Sequence, residues 1–335
     1  MLRMTNRAFV SLHVECCYLR NDINYFTRKA KLIQNPKSKI QNHSLALSGL
    51  IMGLTTLLGV WAFLYPFFVP PSPSDEVGSH AGDAPLIFLL VMGLCLTAIV
   101  ADLETRSIDS KTVALLGVMV ATNALLRPLQ GPGGFSVFLV LPILCGYVFG
   151  GLFGFLLGAL SVLVSALLIP GGVGPWLPFQ MLAVGWAGLL SAALPQGVMS
   201  SLWRGKAEKW LLAGWGAVVG LLFGVVMNLW FWPFLALGTG ASEDQVWQPG
   251  AGLIDAVQRY ATFYFATSFA WDIWKSASNL LVILFLGPPV LRLLRRYKQR
   301  FFFSYTRLHL PQPLSVAAAV SSAPTPRRPG AHQVE

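Results

Sequence analysis

Eight long apolar stretches, separated by short polar or Gly/Pro-rich connectors, leave this chain few folds to choose from. They cover residues 45–69, 85–101, 112–127, 135–149, 151–169, 179–198, 210–237 and 271–294. A helix needs about 20 predominantly apolar residues to cross the hydrocarbon core of a bilayer. The third and fourth stretches sit at the lower limit of that length. Read as a single helix, residues 135–169 would run about 50 Å, too long for one crossing. The Gly150-Gly151 pair therefore marks the turn of a tight hairpin. The expected fold class is all-α, a polytopic membrane helix bundle of about eight transmembrane helices. Only 11% of the residues are charged, against about 25% in a soluble domain, which excludes an ordinary globular enzyme. The apolar share of 55%, spread over most of the length, excludes a disordered or fibrous chain.

The net charge of +10 does not read as nucleic-acid binding, because the basic residues bracket the apolar blocks instead of coating one face. Eight Lys/Arg precede the first span and eight follow from Arg292 onward. By the positive-inside rule both ends are cytoplasmic, so the number of spans is even. The inner connectors then carry Arg106, Lys111, Arg204, Lys206 and Lys209. The outer ones hold only Arg127 and Arg259, and Lys275 starts the eighth span. This asymmetry places the chain in the plasma (inner) membrane as a multi-pass protein. Residues 1–44 read as a flexible basic arm, or as a stretch upstream of the true start. Residues 45–111 hold the first two spans, residues 112–297 a six-helix core, and residues 298–335 a basic, disordered tail. The long 238–270 connector is a candidate lid, and residues 253–269 within it are expected to form an amphipathic or interfacial helix.

Much chemistry is missing. No GxxxxGK[ST], HExxH or GxSxG motif occurs, and all five histidines lie outside the spans. Neither a Ser/His pair nor an imidazole metal centre is available within them, so no catalytic residue, metal site or cofactor is expected. The four cysteines show no metal-ligand or disulfide spacing. Asp102 and Glu104 sit at a cytoplasmic helix end, a normal place for solvated carboxylates.

The polar groups that remain inside the spans are costly there and tend to face a cavity or a partner helix. Asn123 and Arg127 lie at the outer end of the third span, Gln180 at the outer start of the sixth, and Asn228 in the outer third of the seventh. Asp272 and Asn279 lie on nearly one face of the eighth. Trp176, Trp230, Trp232 and Trp271 cluster at the same side. They read either as an interfacial aromatic belt or as the walls of an outward-opening pocket. The glycines and prolines of residues 170–180 suit either a loop folding over a ligand or a plain re-entry turn. Gly146, Gly150, Gly154 and Gly158 recur every fourth residue, as do Gly216, Gly220 and Gly224. Gly117 and Ala121 form a third small-residue pair, flanked by Ala114 and Ala124. Such faces allow close helix contact, within the bundle or with another membrane protein.

Residues 114–127, 138–158 (FLVLPILCGYVFGGLFGFLLG) and 172–182 (GVGPWLPFQML) together resemble the substrate-binding S component of energy-coupling factor (ECF) vitamin transporters. The runs 228–234 (NLWFWPF) and 286–290 (LGPPV) are similar to its longer, eight-span branch, which adds two N-terminal helices to a six-helix core. The resemblance implies capture of a vitamin or related micronutrient from outside. It also implies delivery through a transmembrane T subunit and two ATPase subunits of an ABC-type importer. Substrate-binding residues are then expected among Asn123, Arg127, Trp176, Gln180, Asn228, Trp230, Trp232, Trp271, Asp272 and Asn279. Partner docking falls to Ala114, Gly117, Ala121 and Ala124, where Gly117-xxx-Ala121 stands for the family's Ala-xxx-Ala. The wide aromatic mouth favours a bulky ligand, with a corrinoid as the first candidate. Two readings stand beside this one. The first is a membrane-embedded lipid or isoprenoid transferase using Asp102 and Glu104. The second is an assembly subunit with no ligand.

Overall fold

A computed structural model of the chain describes residues 36–69, 80, 82–104, 110–195, 204–237 and 242–301. Within them the chain is an all-α polytopic bundle of helices α1 (Pro36–Leu64), α2 (Ala84–Glu104), α3 (Ser110–Leu126), α4 (Val140–Phe149), α5 (Gly151–Leu168), α6 (Leu177–Ser191), α7 (Arg204–Phe231), α8 (Leu253–Thr267) and α9 (Phe269–Phe301). Among the described residues four segments are long and apolar enough to cross a membrane: Gly49–Phe67, Gly151–Leu168, Lys206–Leu235 and Phe269–Gln299. The described residues hold four shorter apolar helices as well. The eight expected stretches thus each carry a helix, and the expected amphipathic segment of the 238–270 connector is α8. Most of the arm 1–44, the tail beyond 301, the 70–79 part of the first outer connector and Arg106 lie outside the described residues. So do the side chains of Asp102 and Glu104.

Several helix limits differ from the sequence reading: α6 ends at Ser191 rather than 198, α7 begins at Arg204 rather than 210, and α9 runs to Phe301 rather than 294. α1 begins at Pro36 rather than near 45, with proline at its first position, where a missing amide costs nothing. α4 has only ten residues, about 15 Å, and begins at Val140 rather than 135. The cause lies just before it. Gly133 and Gly134 take φ of 70° and 89°, conformations that suit glycine. They turn the chain back so that Gln130 pairs with Ser136 and the Gly131 amide donates to the Phe135 carbonyl at 2.9 Å. Non-helical backbone in a membrane protein is tolerated where it is covered by protein or lines a cavity; here Ser136, Phe138 and Leu139 are buried, and Gln130, Gly134, Ser136 and Phe138 line a cavity.

The core is the α4–α5–α6 crossing. Ile143, Leu144, Phe155, Leu156, Met181 and Leu182 have no exposed surface or almost none. Glycine makes the close approach possible. A Cβ on Gly154 would lie 2.6 Å from the Gly146 Cα, and one on Gly158 would lie 2.5 Å from the Val184 carbonyl oxygen. Gly150, at φ 110°, is the turn between α4 and α5. The second tight seam joins α7 to α9, where Gly216, Gly220 and Gly224 face Ile283, Ser276 and Asp272. α1 and α2 pack on each other and on α6, with the Phe63 ring edge-on to Phe179 at 5.0 Å. Outward-facing Leu57, Trp61, Leu89, Leu167, Leu190, Leu222 and Phe285 are exposed, as lipid-facing side chains are.

Candidate functional site

Asn123 and Arg127 are one helical turn apart at the end of α3. They face Ser161 and Ser165, one turn apart on α5. The Asn123 amide donates to the Ser161 hydroxyl at 2.8 Å. Arg127 donates through Nη1 to the Ser165 hydroxyl at 2.7 Å and to the Val162 carbonyl at 3.2 Å. Through Nη2 it reaches Oε1 of Gln180, in the first turn of α6. One guanidinium therefore ties α3, α5 and α6 together.

The opposite wall comes from α9 and the turn before α4. Lys275 donates to Asp272 Oδ1 at 2.8 Å and lies 5.0 Å from the centre of the Phe223 ring on α7. Ser278 holds the turn in place. Its hydroxyl donates to the Ser136 carbonyl at 2.7 Å and accepts from the Ser136 amide at 3.2 Å. Gly134 packs against Trp271, where an added Cβ would lie 3.1 Å from the indole ring. Between these walls is a cavity of about 270 Å³. Its polar lining is Arg127, Gln130, Ser136, Gln180 and Lys275, and Phe138, Phe223 and Trp271 supply flat apolar surface.

Of the residues singled out from the sequence, Arg127, Gln180 and Trp271 share this cavity. The others stand elsewhere. Trp176 caps α6 and covers Gly174. Asn228 donates to the Gly224 carbonyl and accepts from the Ser268 hydroxyl, both at 2.8 Å, which pins α7 to the α8–α9 corner. Trp232 is buried in a small separate cluster with Leu235, Trp247 and Phe263, and its indole donates to the Gln245 carbonyl at 2.9 Å. Asp272 and Asn279 are buried in the α7–α9 seam, where Asn279 donates to the Gly216 carbonyl at 3.2 Å. On α3, Ala114, Gly117 and Ala121 are exposed on one face, whereas Ala124 is buried.

Ser136, Gln130 and Lys275 were not singled out as ligand contacts. Lys275 carried a signal, since a lysine within a span is rare and tends to face a cavity or a partner. Ser136 and Gln130 carried none, because their place depends on the turn at Gly133-Gly134. His80 was also unanticipated. It adopts a left-handed φ of 60° and is 2% exposed. Its ring lies among Phe179, Phe234 and Trp230 at centroid distances of 4.4, 4.8 and 6.0 Å. His80 Nδ1 is 2.8 Å from Asp83 Oδ2, which also accepts from the Tyr65 hydroxyl. Burial pushes the Asp83 carboxyl up, but the bonds from His80 and Tyr65 outweigh it and hold it below its ordinary value of 3.8. Among the described residues no group of three or more His, Cys, Asp or Glu side chains could hold a metal ion.

A family model for the substrate-specific component of ECF transporters matches residues 111–287, which contain every residue that lines the cavity. No curated protein and no solved structure matches the chain.

Proposed function

The chain belongs to the family of substrate-specific components of ECF transporters, and from that premise we propose that the Arg127–Gln180 cavity is its substrate site. It is a membrane transport component and not an enzyme. The substrate is a vitamin or related micronutrient taken from outside. The cavity is reached from the outer leaflet, and both termini are cytoplasmic. A transmembrane T subunit and two partner ATPases complete the importer and supply the hydrolysis for which this chain has no P-loop. The chain represents the eight-span branch, with α1 and α2 added before the six core helices. Docking of the T subunit falls to the exposed Ala114–Gly117–Ala121 face of α3, where small side chains let another helix approach closely.

The observation that carries this reading is the cavity itself. It is a partly open concavity with a few convergent polar groups and aromatic walls, the ordinary anatomy of a small-molecule site. The test is purification from native membranes in mild detergent, followed by identification of co-purified proteins and small molecules by mass spectrometry. Recovery of a T subunit, paired ATPases and one stoichiometric small molecule is expected. A chain that remains alone and empty would overturn the proposal.

A further inference from the structure

The cavity carries an unbalanced charge. Arg127 and Lys275 both line it. The Lys275 charge is answered by Asp272. Among the described residues Arg127 bonds only neutral acceptors, namely the Val162 carbonyl, the Ser165 hydroxyl and the Gln180 amide. It makes no ion pair among the described residues. Those bonds orient the guanidinium but leave its charge uncompensated next to Phe138, Val162, Val184 and Phe223. An unpaired charge in such surroundings is destabilising until something neutralises it. Three of the five guanidinium donors are used, which leaves one on Nη2 and one on Nε. A second observation is independent of charge. Ser136 lines the same cavity and is 4% exposed, and its buried hydroxyl has no hydrogen-bond partner among the described residues. Buried hydroxyls are normally paired.

The geometry points to a ligand bearing a single carboxylate, seated on the remaining Arg127 donors, with a polar edge at Ser136 and a flat body against Phe138, Phe223 and Trp271. A carboxylate can accept two N–H bonds from one guanidinium. One negative charge cancels the net charge left by Arg127, Lys275 and Asp272. A phosphate monoester, at about −1.5 to −2 near neutral pH, overshoots it. The volume of about 270 Å³ lies near the lower end of the roughly 300–1,000 Å³ typical of small-molecule sites. It suits a body of one or two rings and not a corrinoid. This inference rests on the reading of the cavity as the substrate site.

The test uses the full chain in mild detergent at physiological salt. It is titrated with benzoate, 2-naphthoate and indole-3-acetate, each beside its primary amide, and with phenyl phosphate, and the thermal unfolding midpoint is followed. At least one acid is expected to raise the midpoint and to bind on the order of tenfold more tightly than its own amide, and more tightly than phenyl phosphate. Arg127→Met removes that preference. Arg127→Lys, which keeps the charge and loses the fork, binds more weakly with the same order. If Arg127→Met does not fold, the wild-type comparison decides alone. Amides that match their acids, phenyl phosphate that exceeds them, or no response to any acid would overturn the inference. Recovery of the T subunit and ATPases does not depend on the cavity's charge. A chain that recovers them and ignores the acids loses this inference and keeps the transport reading. A chain that prefers the acids and recovers no partner does the reverse.

Discussion

The backbones of Gly146 and Gly188 are in contact: a Cβ on Gly146 would fall 1.9 Å from the Gly188 carbonyl oxygen. α4 and α6 therefore cross with their backbones touching, and α5 joins them through Gly154, which sits against both glycines. This crossing fixes the rotation of α5 and α6. That rotation in turn sets where Val162, Gln180 and Val184 meet Arg127.

Gly146→Ala and Gly188→Ala are each expected to destabilise the protein by about 1–3 kcal/mol, the usual cost of overpacking, because the obstacle is backbone and cannot rotate away. Gly117→Ala, at a position with nothing within 4 Å of the added Cβ, should leave stability nearly unchanged. Thermal unfolding in detergent measures both. Equal effects at the two kinds of site would refute the contact.

Gly117→Leu and Ala121→Leu enlarge an exposed face of α3 without touching the cavity. Ligand retention is expected to stay at wild-type level while uptake in cells and recovery of a T subunit are lost. Ligand loss along with uptake would mean that the face serves the fold and not a partner.

Gln180→Ala removes an acceptor from Arg127 and a cavity wall. A loss of ligand affinity on the order of tenfold is expected. Trp176→Ala and Asn228→Ala, both off the cavity, are expected to weaken binding far less. Isothermal titration with the co-purified ligand separates the three. A Trp176 or Asn228 effect as large as that of Gln180 would move the site away from Arg127.

The Tyr65–Asp83–His80 cluster should make its end of the bundle acid-labile. Because the folded Asp83 lies below its ordinary 3.8, its contribution is complete above about pH 4 and fades as the pH falls through the folded value. Asp83→Asn is expected to unfold at a lower temperature than wild type near neutral pH, and the gap should close in acid. A gap that is constant from pH 7 to pH 3 would show that the carboxylate charge is not what holds the cluster.

Much of the architecture is local and was legible in one dimension. The limits of α5 fell within a residue of the stretch read from composition, since Gly150 breaks the helix on one side and Pro170 on the other. The glycine faces of α4–α5 and α7 announced helix seams because only glycine at that spacing lets backbones touch. Hydropathy also separated the amphipathic α8 from the spans. Where the reading missed, a turn decided the outcome. The positive φ of Gly133 and Gly134 converts five residues of an expected helix into a turn, from which Ser136 and Phe138 line the cavity.

By itself, the order of apolar and charged residues determined that this chain is a helical membrane bundle, because burial in lipid and backbone self-satisfaction act on each segment separately. It also marked which side chains would be expensive there. Which of them converge was decided only by tertiary structure. Arg127 meets Gln180 across 53 residues and Ser136 meets Ser278 across 142, while Asn228, equally polar and equally placed along its helix, turns to Ser268. The rotation of each helix about its axis makes that choice, and the rotation is set by glycine contacts between segments that no single segment encodes.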